Sequence, residues 1–108
     1  MRPPDKGRIL IQPNGRIIFA NIYFCDLVRI PHSDVAGMSF FSFVFSKDLD
    51  STRLVLKFNK HLQVDPFSIR LKRRDGEPVW VDIHFDALKR NKVVSATISA
   101  KTEVAIQN

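Results

Sequence analysis

Apolar and polar positions alternate most cleanly between residues 67 and 86. Phe67, Ile69 and Leu71 share one face of a period-2 run, and Ser68, Arg70 and Lys72 the other. Beyond Asp75-Gly76 the alternation resumes, with Val79, Val81, Ile83 and Phe85 opposed to Trp80, Asp82, His84 and Asp86. This pattern marks antiparallel strands with one buried face. Asp-Gly between them predicts a tight hairpin, because glycine supplies a positive φ without steric cost. Trp80, the single tryptophan, breaks the pattern: it is a large ring on the polar face, and something has to cover it.

The rest of the chain reads in the same way. Arg8 to Gln12 and Arg16 to Ala20 are two short β runs around Pro13-Asn14-Gly15, a second predicted hairpin with Asn-Gly chemistry. Asn21 suits a helix N-cap, with a short helix through Phe24, Leu27 and Val28 behind it. Pro31 interrupts that helix, and Ser33 is expected to cap a further turn ending near Gly37. Ser39 to Phe45 holds four of the nine phenylalanines. A longer helix is predicted from near Asp48 to about Leu62, with Leu54, Val55, Phe58, His61 and Leu62 on one apolar face. Pro66 ends that region and opens the third strand. The β-branched run Val93 to Ala100 supplies a fifth. Two strands, short helices, one longer helix and three antiparallel strands make an α+β fold in one domain.

Composition narrows the class. With 108 residues, 44% hydrophobic and 26% charged, the chain matches an ordinary single globular domain. No apolar run approaches the ~18–20 residues of a membrane span, and Met1-Arg2-Pro3-Pro4 does not lead into a signal-peptide core. One cysteine excludes an internal disulfide and a multi-cysteine zinc site, so a reducing, cytoplasmic setting is expected.

The net charge of +6 invites a nucleic-acid partner. The basic residues, however, cluster at predicted turns: Arg70, Lys72, Arg73 and Arg74 at one, Lys89, Arg90 and Lys92 at another. There they are expected to sit in solvent. Asp75, Glu77 and Asp82 interrupt the first cluster, and no row of rings offers a stacking platform. A basic nucleic-acid-binding domain is therefore the weaker alternative.

Catalytic chemistry finds no constellation. His32, His61 and His84 fall on three different elements, with no nucleophile and orienting acid at a telling spacing. Asp82, His84 and Asp86 share a strand face, but a flat strand spreads them too far for a tetrahedral metal. No glycine-rich phosphate loop is present. The chain reads as a non-enzyme without a metal site.

Taken together, these segments resemble a PAS domain over about ninety residues. GRIIFAN (15–21) is similar to the family's second strand and the Asn at its helix start, and Phe24-Cys25-Asp26-Leu27 to its first helix. SDVAGMSF (33–40) resembles the "-EELIGKSF-" segment, Asp48 takes the place of the Asp in "HPED", and FSIRLKRRDGEPVWV (67–81) resembles the third and fourth strands. The resemblance implies a five-stranded antiparallel sheet with helices on one face, residues 8–100 forming the domain. Residues 1–7 would be an N-terminal extension, and 101–108 an exit segment toward an output domain in a longer chain.

It implies a sensory or interaction module with a small apolar pocket. The expected lining is Phe41, Phe43, Val55 and Phe58 against Ile69, Val81 and Ile83. It also implies homodimerisation through the outer sheet face, with Trp80 and His84 at the interface; a ligand-free dimerisation scaffold is the second reading. His61 is the position for a haem ligand, although a histidine at a helix C-terminus more commonly satisfies free carbonyls. Flavin of the light-sensing type is disfavoured, because Gly37-Met38-Ser39 lacks the reactive cysteine of that subgroup and Cys25 lies in the first helix. Other departures are Phe45-Ser46 for the usual His-Pro and Arg29-Ile30 for Gly-Tyr. Ala100-Lys101-Thr102-Glu103 replaces the exit motif Asp-Ile-Thr-Glu.

Overall fold

The computed structural model of the chain describes residues 6–58, 67–87 and 92–101; for 55–58, 67 and 87 only the backbone is described. The strands are β1 (Gly7–Ile11), β2 (Ile17–Ala20), β3 (Phe67–Lys72), β4 (Pro78–Ala87) and β5 (Val94–Ala100), and the helices α1 (Ile22–Val28), α2 (His32–Val35) and α3 (Leu49–Phe58). Short 3-10 turns at Phe40–Phe43 and Ser46–Asp48 lead into α3. The strands form one antiparallel sheet in the order β2-β1-β5-β4-β3. The α+β architecture read from the pattern is the one observed.

Register follows the alternation. Ile69 pairs with Val81 and Ile83 with Ile98 on the inner face, while Arg70 pairs with Trp80 and His84 with Thr97 on the outer one. The inner face and the helical layer enclose Ile9, Ile11, Ile17, Phe24, Val28, Phe40, Phe43, Ile69, Leu71, Val81, Ile83 and Ile98 in one core. Phe24 meets Phe43 edge-on at 5.6 Å, and Phe40 meets Phe85 edge-on at 6.2 Å. Edge-to-face packing of this kind adds to the burial of the rings themselves.

Asn21 caps α1 as expected: its Oδ1 accepts from Phe24 N at 3.1 Å and from Arg8 N at 3.0 Å, so one side chain ties the helix start to β1. Arg29 ends the helix in the left-handed region at φ 62°.

Three local expectations need correction. The first hairpin has the expected Pro13-Asn14-Gly15 loop, but the second is also a three-residue loop with glycine third, Arg74-Asp75-Gly76, and not an Asp75-Gly76 turn. Gly15 N donates to Gln12 O and Gly76 N to Arg73 O, each at 2.8 Å, while Gly15 and Gly76 take φ 92° and 90°. The turn centres are Pro13-Asn14 and Arg74-Asp75, and glycine supplies the positive φ that closes the bulged loop. Pro31, not Ser33, precedes α2, because its fixed φ already suits a helix entry. Leu54 points outward at 57% exposure, and Thr52 is the buried residue of that turn. The Thr52 hydroxyl donates to Asp48 O at 2.7 Å, which satisfies it inside and turns Leu54 to solvent. Apart from these, the first strand pair carries a bulge of which the sequence gives no sign: Leu10 faces Phe19 but Ile11 faces Ile17, leaving Ile18 as an extra residue. Ile18 and Phe19 are consequently both exposed, at 43% and 47%.

Candidate functional site

Two surfaces of the sheet have to be considered, because α1–α3 cover only one. On the covered side the structure brings Phe43, Ile69, Val81 and Ile83 into the core, with Phe41 packed against it. Phe41 lies over Gly15, tilted against Phe40 at 6.0 Å, with the Arg53 guanidinium 4.4 Å from its ring centre. Val55 and Phe58 lie on α3 with side chains outside the described residues, and His61 falls outside them altogether. Cys25 is buried, and burial raises its thiol pKa, which disfavours the reactive thiolate.

The uncovered side carries Trp80 at 49% exposure and His84, whose Nε2 lies 3.2 Å from Asp86 Oδ1. The register sets both on the outer face with Ser68, Arg70, Asp82 and Thr97. Ser68 Oγ donates to Asp82 Oδ1 at 2.7 Å across the β3–β4 pair. At the other end of the sheet, Arg8, Ile9, Leu10, Phe19 and Ser95 line a shallow groove of about 340 Å³. No group of three His, Cys, Asp or Glu is placed to hold a metal among the described residues.

Sequence reasoning missed what covers part of Trp80. Arg70 does not sit in solvent at the hairpin tip. Its guanidinium lies 4.9 Å from the ring centres of both Trp80 and Phe45. Arg70 Nε donates to Asp48 Oδ2 at 3.0 Å and Nη2 to Oδ1 at 2.9 Å, and its backbone N donates to Oδ2 at 2.7 Å. Arg73 is also engaged, Nε donating to Leu27 O at 3.1 Å, and Arg29 pairs with Asp75 at 3.1 Å. The partners of Arg70 and Arg73 lie 22 and 46 residues away, beyond any local spacing rule.

The Asp48–Arg70 pair is mostly sheltered, with side chains 15% and 24% exposed, and its fork geometry is of the stronger kind. Arg70's hydrogen bonds hold the Asp48 carboxyl below its usual pKa, against the opposing effect of burial. A depressed folded-state value means the contribution to stability is complete above the unfolded carboxylate range, near pH 4, and is lost as pH falls through the folded value. Wild type and Asp48→Asn should therefore differ most in melting temperature at neutral pH. The gap should close on acidification below about pH 4. A gap that stayed constant down to pH 2 (roughly) would show that the carboxylate charge plays no part.

Comparison with known proteins agrees with this architecture. The PAS domain family model matches residues 7–100, and the chain belongs to the PAS family. A PAS domain from Colwellia psychrerythraea superposes with a TM-score of 0.79 at 14% identity, over 93% of this chain and 89% of that one. The PAS domain of an HTR-like protein from Haloarcula marismortui gives 0.69 at 22% identity, over 89% and 81%. The PAS domain of the Cronobacter turicensis RpfR quorum-sensing receptor, in complex with C12:0, gives 0.79 at 13% identity, over 94% and 99%. No curated protein matches the sequence.

Proposed function

We propose that this chain is the sensory PAS module of a signal-transduction protein. It takes a small apolar or amphipathic molecule on the helical side of the sheet and pairs with a second copy through the outer face. The observation that carries the reading is the asymmetry of the sheet. One face is closed by helices, while the other keeps Trp80, Phe19 and Ile18 exposed at 49%, 47% and 43%. Large apolar groups gathered on the uncovered face mark it as an interaction surface, whereas Ile22 and Leu54, also exposed, stand singly on two different helices. His84 and Trp80 belong to that surface, as does the groove by Leu10 and Phe19. The ligand face would comprise Phe41, Phe43, Ile69, Val81 and Ile83. The C12:0 complex of the RpfR domain supports an apolar occupant.

The module is assigned no catalytic role. The His32 ring contacts the Ala20 carbonyl oxygen and His84 contacts Asp86. Its output domain would lie in a longer chain, on the cytoplasmic side. Haem through His61 and flavin are not part of the proposal, and nucleic acid is not the partner, since Arg70 and Arg73 are already engaged within the fold.

Sedimentation tests the pairing. The wild-type domain should be dimeric at tens of micromolar, since such a face can supply the roughly 1,000 Å² that a specific interface needs. Trp80→Glu should shift it to monomer with its far-ultraviolet dichroism unchanged. A wild-type monomer at several hundred micromolar would remove the dimer from the reading.

A further inference from the structure

The contacts around Arg70 connect the two faces of the domain. Asp48 closes the 3-10 turn before α3, and its backbone oxygen accepts from Ser51 Oγ at 3.1 Å and from the fully buried Thr52 at 2.7 Å. Its carboxylate grips Arg70 through three hydrogen bonds, and Phe45 N returns one to Arg70 O at 2.9 Å. Arg70 crosses the edge of the sheet, and its guanidinium rests against Trp80, its cross-strand partner on the outer face. The first turn of α3, on the core side, is thus joined to an exposed ring on the opposite side through only two side chains.

We propose that Asp48 and Arg70 act as a latch that sets the position of Trp80 from the helical layer, so that displacement of the 45–48 turn is read out on the outer face. The proposal rests on the sensory reading above and specifies how its interaction surface is regulated. Asp48 and Arg70 are positioning residues. A planar guanidinium can hold a carboxylate along its edge while stacking on an indole with its face, and a lysine ammonium cannot do both. Phe45 bounds the same guanidinium at 4.9 Å, so the clasped arrangement is held by two rings and one carboxylate, and its alternative is release to solvent. Release uncovers one side of the indole and changes the surface offered to a partner.

The single tryptophan makes the latch directly readable. The test is steady-state emission and acrylamide quenching of Trp80 in the ligand-free domain at 25 °C, for wild type, Asp48→Asn, Arg70→Lys and the double variant. Asp48→Asn, which does not touch the ring, should raise the quenching constant by up to about twofold from the half-covered state and shift the emission maximum. Arg70→Lys should do the same, and the double variant should add nothing further. Phe24→Leu, a core change away from the latch, should lower the melting temperature without altering Trp80. If Asp48→Asn fails to fold, Asp48→Glu replaces it, with a smaller change of the same sign.

An Asp48 variant that leaves the quenching and emission of Trp80 at wild-type values overturns the latch, whatever Arg70→Lys does. A change that appears equally in Phe24→Leu also overturns it, since it would reflect general loosening. The readout needs neither ligand nor dimer, so its failure would leave the sensory reading standing. Failure to find a ligand would likewise leave the latch intact.

Discussion

Phe24→Ala should cost about 3–5 kcal/mol, the largest effect of any single truncation considered. Phe24 is fully buried, meets Phe43 edge-on at 5.6 Å, and sits where α1 crosses β1. A Cβ built on Gly7 would lie only 3.3 Å from the Phe24 Cβ, so the helix and strand are already as close as the chain allows. The backbone therefore cannot collapse to fill the space, and the cavity term adds to the lost burial. Thermal melting should show a fall of at least about 12 °C for a domain of this size. A fall of only two or three degrees (roughly) would mean that α1 does not pack as described.

Gly15→Ala should cost about 2–4 kcal/mol, a large effect for one methyl group in a hairpin loop. Gly15 has φ 92°, which disfavours any side chain, and the added Cβ would lie 2.7 Å from Cε2 of Phe41. Phe41 is held in turn by Phe40 and Arg53, so the ring cannot swing away freely. Gly76→Ala is the internal comparison. Gly76 shares the loop geometry and φ 90° but has nothing within 4 Å. It should cost only the backbone part, about 1 kcal/mol. Urea denaturation of the two variants separates the contact from the conformation; equal losses would show that Phe41 does not press on the loop.

The contrast between these glycines shows what the amino-acid pattern can and cannot reveal. Both are legible as turn formers, because Asn-Gly and Asp-Gly between alternating strands need a positive φ. That Phe41 closes over one of them depends on a chain segment 26 residues away, a distance no local rule spans. The faces of β3 and β4 are legible for the same local reason, since period-2 alternation leaves one arrangement that buries Ile69, Val81 and Ile83. The Asn21 cap is legible because its partner is three residues on.

Leu54 shows the opposite case. Helical periodicity places it with Val55 and Phe58, yet Thr52 is the residue turned inward, because its hydroxyl finds Asp48 O. A polar residue with a satisfied hydrogen bond can occupy a buried position that pattern alone assigns to leucine. Arg70 departs from its pattern for a related reason. Four basic residues near a turn look like a solvated charge run, and only tertiary structure brings Asp48 and two rings to one of them. The outer face of the candidate site was therefore half legible: Trp80 stood out as anomalous, but its neighbour across the strand did not.

The central claim is that the domain senses a small apolar molecule, and native mass spectrometry addresses it most directly. The purified domain, incubated with a crude cellular lipid extract and freed of excess, should carry a defined adduct of a few hundred daltons (roughly). The recovered compound at 100 times its Kd should stabilise the fold by about 2.7 kcal/mol. A chain that retains its bare mass, and whose melting temperature no fraction of the extract raises, would contradict the sensory account and leave an assembly scaffold in its place.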